Sequence, residues 1–515
     1  MRWLYVEGPQ LMSSSSKRSE ELRRLALSVL QPGFVGTEAP DWILRAINEG
    51  LSSVVLFSRN IVSSEQVARL TAQLRSENPS LIVAIDEEAG DVTRIESSTG
   101  STRPGNFALG AVDDAELTAA VSRDLGGQLH AVGVSLNYAP SVDVNSNPDN
   151  PIIGVRSFGV DPGLVARHAG AWVRGLQSAG VAACAKHFPG HGDVAIDSHH
   201  GLPSYDADIE TIAAQALPPF RAALDAGVRA VMSGHLLVPA YDPHLPATLS
   251  SRILNGLLRK ELGFDGLIVT DAIEMGAVTD RYGIDGATVK AVVAGADAVC
   301  VGGENAEEGV VGLLAGALTR AVQSGELTEA RLIEASDQVR AFADWSTSLA
   351  RAVPVNPIRG DIGFVAARRA IRLSGPADDV LPLAAAPHVV ELVPSTNLAI
   401  GKETPWGVAL PLRERLPGTT FVRVHHQQLL ARPAILEEYA LAPASGRPMV
   451  IVVRDATRNK WMGRALADLA RVRPDAIVVE MGLPGDSTAG AVRIFTHGAT
   501  AASGVAAAEV LVGAR

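Results

Sequence analysis

A short stretch between residues 186 and 199 concentrates side chains that can donate, accept or carry protons. Residues 186–193 read KHFPGHGD, and Asp197, Ser198 and His199 follow closely. The stretch holds one lysine, three histidines and two aspartates in fourteen residues. Imidazoles beside carboxylates are suited to general acid–base catalysis. The proline and the glycines exclude an ordinary helix or strand here, so we predict a loop.

The position of this loop favours a catalytic role over that of a solvated loop with incidental histidines. It directly follows residues 181–185 (VAACA), an apolar run that predicts a fully buried strand. Polar loops at the ends of buried strands are where α/β enzymes hold their catalytic side chains.

Short apolar runs alternate with amphipathic helical patterns from about residue 20 to residue 345. This repetition predicts an α/β fold with a (β/α)8 TIM-type barrel, and a doubly wound open sheet is the alternative. The predicted strands are 53–57, 81–85, 134–139, 181–185, 230–233, 267–270 and 298–301, and the predicted helices include 64–77, 115–131, 162–179 and 251–262.

Polar residues just beyond the strand ends favour the barrel. Asp86, Asp143, the Lys186–His187 pair, His235 and Asp271 each follow a predicted strand. In a barrel all such strand ends meet at one rim, whereas an open sheet offers only a crevice.

The chain is predicted to continue into a second, smaller unit. We expect a disordered tail at 1–18, the barrel at 19–345, a linker at 346–375 and an αβα sandwich at 376–515. Strand and helix patterns of the sandwich cover 388–392, 449–453, 460–471, 476–480 and 504–512. We expect this unit to be a scaffold or interface without catalytic groups.

Composition restricts the class of protein. The chain has 515 residues, a net charge of −11, 47% hydrophobic and 20% charged residues, as expected for a soluble protein of two or more domains. The negative charge argues against nucleic acid or an anionic membrane as a main partner.

Cys184 and Cys300 fall in predicted strands and are expected to be reduced. The N-terminus lacks the apolar core of a signal peptide, so we expect a cytoplasmic protein, with Met12 as a possible start.

The loop and a series of further motifs resemble those of the glycoside hydrolase family 3 β-N-acetylglucosaminidases. The similarity covers roughly residues 30–300, and the C-terminal pattern resembles the αβα domain that many members carry. Besides KHFPGHGD and DSH, the motifs are PGF at 32–34, LFSRN at 56–60, DEE at 86–88, NYAP at 137–140, GVRSFG at 154–159, PATLS at 246–250, LGFDG at 262–266 and TDAIEM at 270–275.

The resemblance identifies Asp271 as the expected nucleophile. Retaining glycosidases need a carboxylate that attacks the anomeric carbon and a second group that transfers the proton. Asp271 directly follows a predicted strand, which would hold it rigidly. Family members often have two acids in a row here, whereas this chain has Asp271 followed by Ala272.

The expected proton shuttle is His199, oriented by Asp197. In an extended loop, residues i and i+2 project the same way, so Asp197 could accept from one ring nitrogen and leave the other to protonate the leaving oxygen. His200 is the alternative, although its side chain should point away from Asp197.

The resemblance also implies a set of substrate contacts. Asp86 is expected to accept hydrogen bonds from sugar hydroxyls, and Arg94 and Arg156 to donate to hydroxyls or to an acetamide. Lys186 and His187 are expected to line the floor of the subsite.

Three other polar residues near the strand ends receive weaker expectations. His191 and Asp193 are expected to hold the shape of the loop, and His235 to be either a substrate contact or a core residue. We predict no metal site, because the proline and glycine between His187 and His191 prevent the helix that would align them. The chain has neither a phosphate-binding loop nor a dinucleotide fingerprint, so no cofactor is expected.

The resemblance implies an exo-acting β-N-acetylglucosaminidase that releases terminal GlcNAc from chitooligosaccharides or muropeptide fragments. We expect double displacement through a covalent glycosyl–Asp271 intermediate, with attack by the substrate's own acetamide as the competing route. A phosphorylase remains an alternative, because a neutral imidazole does not repel phosphate as a carboxylate base would. A β-glucosidase and a non-catalytic sugar-binding protein are less favoured, and the sequence does not indicate an oligomeric state.

Overall fold

The computed structural model describes residues 9–196, 198, 201–354, 361–394 and 404–514. Within these ranges, no helix combines the length and apolar character needed to cross a membrane.

The N-terminal part of the chain contains a parallel sheet with the strand order β2-β3-β4-β5-β6-β9. Strands β1 and β10 pair in parallel with each other, and β7 and β8 form an antiparallel pair. The strands are β1 (Leu30–Pro32), β2 (Ser53–Leu56), β3 (Ile82–Ile85), β4 (Leu136–Asn137), β5 (Ala182–Phe188), β6 (Ala230–Ser233), β7 (Leu237–Val238), β8 (Asp242–Pro246), β9 (Leu267–Thr270) and β10 (Val299–Val301).

Helices connect most of these strands, as the β–α repetition predicts. They are α1 (Pro9–Ser28), α2 (Asp41–Glu49), α3 (Ser64–Glu77), α4 (Asn106–Val112), α5 (Ala115–Ala131), α6 (Pro162–Ser178), α7 (Ile209–Gln215), α8 (Leu217–Asp225), α9 (Gly276–Ala294), α10 (Glu308–Ser324) and α11 (Glu329–Ala352). Short 3₁₀ turns lie at Ser58–Asn60, Gly154–Arg156 and Ala247–Leu249, and Arg252–Glu261 is π-helical.

Successive strand residues of this sheet pack into two different apolar clusters. Val54 and Leu56 join the large cluster that contains the surrounding helices, whereas Val55 joins a smaller one with Ala84 and Phe342. This partition follows from the two-residue period of a strand, whose side chains point alternately to opposite faces. Both faces of the sheet are therefore buried, which explains why the strands read as continuous apolar runs.

The C-terminal part contains a second sheet with the strand order β11-β16-β15-β14-β12-β13. All neighbouring strands are parallel except β11 and β16. Separate apolar clusters cover its two faces. The strands are β11 (Arg372–Ser374), β12 (His388–Val393), β13 (Thr420–His425), β14 (Met449–Val453), β15 (Ile477–Glu480) and β16 (Val492–Phe495). The helical segments are α12 (Ile362–Ala370), α13 (Ala377–Val380), α14 (Ala409–Arg415), α15 (His426–Ala431), α16 (Lys460–Val472), α17 (Ala501–Val512), the π-helical Glu437–Leu441 and the 3₁₀ turn Ala442–Ala444.

Three boundaries differ from the sequence prediction. The expected disordered tail at 1–18 overlaps helix α1, which begins at Pro9. Serine is only a moderately poor helix former, so the packed later turns of α1 extend the helix towards the N-terminus. Strand β5 continues through the first residues of KHFPGHGD to Phe188, because Phe188 pairs with Ser233 of β6.

The third difference concerns the expected linker at 346–375. It contains the end of α11 and all of α12 and β11. Helix α12 has a buried face of small residues that packs closely against the N-terminal part of the chain. A Cβ atom placed on Gly363 would lie 2.2 Å from the backbone oxygen of Thr102. The close approach requires glycine, and it makes α12 part of the packed structure. Residues 355–360 of the expected linker lie outside the described residues.

A buried histidine in the C-terminal part should make stability depend on pH. His497 lies against Phe107, with 5.6 Å between ring centroids, and burial lowers its pKa from 6.5 to about 4. The folded state therefore binds fewer protons than the unfolded state between these values. Its contribution to stability is present above pH 6.5 and is lost as the pH falls towards 4.

We expect wild type to lose on the order of 2 kcal/mol more than His497→Asn when the pH falls from about 7 to about 5. Asparagine is a suitable replacement because it tolerates the positive φ of 60° at this position. Urea denaturation at both pH values measures the difference. The variant His244→Asn, at an exposed position, should behave like wild type, and equal losses for wild type and His497→Asn would contradict the prediction.

Candidate functional site

A cavity of about 420 Å³ lies where the strands of the first sheet end. The structure brings to its wall every substrate-contact residue expected from the sequence, together with the expected nucleophile. These residues are Asp86, Arg94, Arg156, Lys186, His187 and Asp271. Asp197, His199 and the alternative His200 lie outside the described residues. Ser198 is buried and lines the same cavity, and its carbonyl oxygen accepts the backbone N–H of Ala277 at 3.2 Å.

A buried ion-pair cluster forms one side of the cavity. The Glu88 carboxylate accepts from Nε and Nη2 of Arg156 at 2.9 and 2.7 Å, and it lies 2.7 Å from Lys186 Nζ. Burial alone would raise the pKa of Glu88, but the charges of Arg156 and Lys186 hold it well below its usual range. Glu88 thereby fixes both cations in place. The sequence reasoning missed this role, although Glu88 lies in a quoted motif.

Replacing Glu88 should show how strongly this cluster depends on its carboxylate. We expect Glu88→Gln to lower the free energy of unfolding by about 3–5 kcal/mol, because it leaves buried positive charge without its partner. Urea denaturation measures this loss. The control Glu308→Gln removes an exposed pair with Arg45 and should cost no more than about 1 kcal/mol. Equal losses for the two variants would show that the cluster is not a buried network.

Asp86 connects the cluster to the open part of the cavity. Its carboxylate accepts a short hydrogen bond from Lys186 and lies 3.4 Å from Arg94 Nη2. Burial alone would lower the pKa of Lys186, yet Asp86 and Glu88 raise it, so the ammonium stays charged. The Asp86 side chain is 27% exposed, so it remains accessible to a ligand.

Hydrogen bonds join the two ends of the segment from Asp86 to Ile95. The buried Glu87 carboxylate accepts the backbone N–H groups of Arg94 and Ile95 at 2.7 and 2.9 Å, and the Thr93 hydroxyl at 3.1 Å. The Asn137 side chain binds both the N–H and the carbonyl of Glu87. These bonds hold the two ends of the segment, which carry Asp86 and Arg94, beside the cavity.

A carboxylate behind the cavity orients the ring of His187 and binds the backbone of His191. His187 Nδ1 lies 2.7 Å from Asp143 Oδ2. Because a carboxylate only accepts, Nδ1 carries the proton, and the Nε2 atom lies 3.5 Å from Arg156 Nη2. The same carboxylate accepts the backbone N–H of His191 at 2.7 Å. The sequence placed Asp143 at a strand end without assigning it a role.

His191, which was expected to hold the shape of the loop, also lies on the cavity wall. Its ring is buried and lines the cavity, and neither ring nitrogen has a hydrogen-bond partner among the described residues. Burial and the neighbouring His187 lower its pKa to about 4, so the imidazole is neutral near pH 7. A neutral ring with unused nitrogens is suited to contact a polar ligand.

Asp271 lies immediately after β9, and its backbone N–H donates to Ser233 O at 3.0 Å. Its Oδ1 accepts the N–H of Ala272 at 2.8 Å. His235 supports the same turn from behind, with Nε2 3.0 Å from Ala272 O and Nδ1 2.8 Å from Thr248 Oγ1. His235 has no exposed surface, so of its two expected roles the structure favours the core position.

Glu274 is another residue that the sequence reasoning did not select. It lines the cavity and accepts the backbone N–H groups of Gly302 at 2.9 Å and Glu304 at 3.0 Å. Burial raises its pKa. Glu274 therefore ties the segment after β9 to the segment after β10. The TDAIEM motif contains it, but the motif alone does not distinguish a structural carboxylate from a reactive one.

The site offers polar contacts on several sides of an enclosed volume. Val55, Phe57 and Met232 add apolar surface to the wall, and this combination is typical of small-molecule sites. Across the part of the chain that the structure describes, no three or more His, Cys, Asp or Glu side chains are grouped so that they could hold a metal ion.

The chain is similar to glycosyl hydrolases both in sequence and in structure. Residues 36–341 match the family model "Glycosyl hydrolase family 3 N terminal domain". The chain is 37% identical to β-hexosaminidase A of Pseudoalteromonas piscicida over 269 residues, which are 48% of this chain and 45% of that protein, so the match spans less than half of that relative. It is 36% identical to a β-hexosaminidase of Xanthomonas euvesicatoria over 279 residues, covering 52% of this chain and 82% of the relative. A solved family 3 β-N-acetylglucosaminidase from Paenibacillus sp. FPU-7 superposes with a TM-score of 0.84 at 32% identity, covering 96% of this chain and 97% of that one.

Proposed function

This chain belongs to glycosyl hydrolase family 3, and we propose that it is an exo-acting β-N-acetylglucosaminidase. The observation that carries the proposal is the convergence of Asp271 with five polar substrate-contact residues on one cavity at the strand ends. The hexosaminidase names of the relatives support GlcNAc as the sugar. Terminal GlcNAc of chitooligosaccharides or muropeptide fragments is the proposed substrate.

In the proposed mechanism the cavity binds one terminal sugar. Asp86 accepts from hydroxyl groups, and Lys186, Arg94 and Arg156 donate to hydroxyl or acetamide oxygens. Asp271 attacks the anomeric carbon and forms a covalent glycosyl ester, while the leaving oxygen is protonated by His199. Water, activated by the same imidazole, then hydrolyses the ester with net retention.

We further propose that the first sheet and the β1–β10 pair together form a (β/α)8 barrel, and that the second sheet belongs to a smaller αβα domain. Two contacts support closure of the barrel. The Ser53 hydroxyl of β2 donates to Leu30 O of β1 at 3.1 Å, and Val269 of β9 forms a parallel bridge with Ala298, next to β10.

Product analysis tests the proposed function. Purified enzyme is incubated with chitobiose and with GlcNAc-anhydroMurNAc, each with and without phosphate. We expect free GlcNAc as the main product under both conditions. GlcNAc-1-phosphate as main product would replace the hydrolase by a phosphorylase, which the β-hexosaminidase names of the relatives do not favour. Sugar binding without turnover would indicate a non-catalytic protein.

Activity on nitrophenyl glycosides distinguishes the proposed β-N-acetylglucosaminidase from the remaining alternative, a β-glucosidase. We expect the β-GlcNAc derivative to be hydrolysed far faster than the β-glucoside, because the acetamide adds contacts that the glucoside cannot make. Equal rates on the two substrates would favour a β-glucosidase.

A further inference from the structure

Two arginines that follow β14 of the second sheet contact segments that carry residues of the cavity wall. Arg454 directly follows β14, and Arg458 lies four residues further along the same connection to α16. Arg454 binds the segment 86–95, and Arg458 binds the segment 150–156. Both segments contribute an arginine to the cavity wall, Arg94 and Arg156 respectively.

The first contact is a buried ion pair. Arg454 Nη2 lies 2.5 Å from Asp91 Oδ2, and the two side chains are 7% and 1% exposed. The other carboxylate oxygen of Asp91 accepts the backbone N–H of Ala499 at 2.9 Å, so both partners of Asp91 come from the C-terminal part. The ion pair bridges 363 positions of sequence.

Asp91 binds the C-terminal part of the chain, whereas the other acids of the segment 86–95 line or support the cavity. In the same segment Asp86 lies on the cavity wall, Glu87 closes the backbone, and Glu88 holds the buried cations. The segment has little room to move, since a Cβ atom on Gly90 would lie 2.7 Å from Gly105 Cα. A shift at Asp91 would therefore be transmitted to its neighbours along the segment.

The second contact repeats this arrangement on the adjacent segment. Arg458 Nη1 donates to Asn150 O at 2.6 Å. The Asn150 side chain accepts the N–H groups of Ile152 and Ile153 at 3.0 and 2.8 Å and donates to His191 O at 2.8 Å. Ile152, Ile153 and His191 all line the cavity.

We propose that Arg454 is a positioning residue for substrate binding, which acts through Asp91 on Asp86 and Arg94, and that Arg458 supports the adjacent wall in the same way. The C-terminal part of the chain then shapes the sugar subsite, and it is more than the scaffold that its sequence suggests. The proposal rests on the proposed function, because the bound sugar is what Asp86 and Arg94 would contact.

Removal of the Arg454 charge leaves Asp91 buried without its ionic partner, and the segment is expected to move towards water. Asp86 and Arg94 would bind the sugar in the ground state as well as in the transition state. Their displacement should raise KM with a smaller change in kcat. We expect kcat/KM to fall about 10- to 100-fold for Arg454→Met, as for other displacements of the order of 1 Å.

The experiment compares Arg454→Met, Arg454→Lys and the double variant Asp91→Asn/Arg454→Met with Arg369→Met. The control removes a 2.8 Å ion pair between α12 and Asp114, which also joins the C-terminal part to the N-terminal part but does not line the cavity. Steady-state kinetics on nitrophenyl β-GlcNAc, the unfolding temperature and hydrogen exchange of the peptide that covers 86–95 are measured for each protein.

We expect Arg454→Met to raise KM and to speed exchange in 86–95, Arg454→Lys to recover most of both effects, and Arg369→Met to leave both unchanged. If Arg454→Met does not fold, the double variant, which buries no unpaired charge, is expected to fold and to show the raised KM. A wild-type KM in a folded Arg454→Met or double variant, with exchange no faster than in Arg369→Met, would overturn the proposal. If wild type turns over no GlcNAc substrate, the proposed function fails, and unchanged exchange in 86–95 would then separately exclude the positioning role.

Discussion

Asp271→Ala is expected to abolish turnover on activated and natural substrates alike, with a loss in kcat of at least about 10⁴-fold. Three other acids line the cavity; two of them are held by partners, and the third, Glu304, is exposed. Asp86 is paired with Lys186 and Arg94, and Glu274 accepts two backbone N–H groups. Binding of GlcNAc should persist, because the polar contacts on the other side of the cavity remain.

Steady-state kinetics with azide in the medium measures this prediction. A small anion can occupy the space of the lost carboxylate, so azide should restore part of the rate with an activated aryl glycoside and form a glycosyl azide. The control Asp265→Asn changes an exposed acid six positions away and should keep wild-type activity. Substantial turnover by Asp271→Ala without azide would assign the nucleophile elsewhere.

His199→Ala should affect substrates according to their leaving groups. A nitrophenolate leaves with little protonation, whereas a sugar alkoxide requires it. General acid catalysis contributes on the order of 10²–10⁴-fold, so we expect that loss on chitobiose and a much smaller one on the nitrophenyl glycoside. Asp197→Ala should give a milder version of the same pattern, since it removes the orientation but keeps the imidazole.

A comparison of kcat/KM on the two substrates measures this selectivity. His200→Ala is the matched control and should retain near wild-type activity on both. If His199→Ala slowed both substrates equally, with fast breakdown of the intermediate, the proton shuttle would have to be His200 or another residue.

The sequence predicted several of the polar residues that the structure brings to the cavity, although Asp143 and His235, which were expected at the same rim, do not line it. Asp86, Lys186, His187 and Asp271 each follow an apolar run, and parallel strands in a repeated β–α unit bring such positions to one rim. Local pattern and the motifs together therefore identified these four residues of the cavity wall, but not Glu274 or the position of His191.

The sequence could not predict the supporting contacts, because these depend on pairs that are distant along the chain. The Glu88–Arg156 pair spans 68 positions, and the Arg454–Asp91 pair spans 363. No local period or turn signal relates such residues. His235 illustrates the same limit, since its position after a strand is compatible with a substrate contact, and only the packing around it reveals the bonds to Thr248 and Ala272.

The most direct test of the account is mass spectrometry of the enzyme after reaction with a slow fluorinated GlcNAc analogue. If Asp271 is the nucleophile of a double displacement, the intact protein gains the mass of one glycosyl group, and the modified peptide is the one that contains Asp271. The Asp271→Ala variant should remain unmodified. An unmodified Asp271 peptide from an enzyme that still hydrolyses natural substrate would contradict the covalent mechanism and favour attack by the substrate's own acetamide.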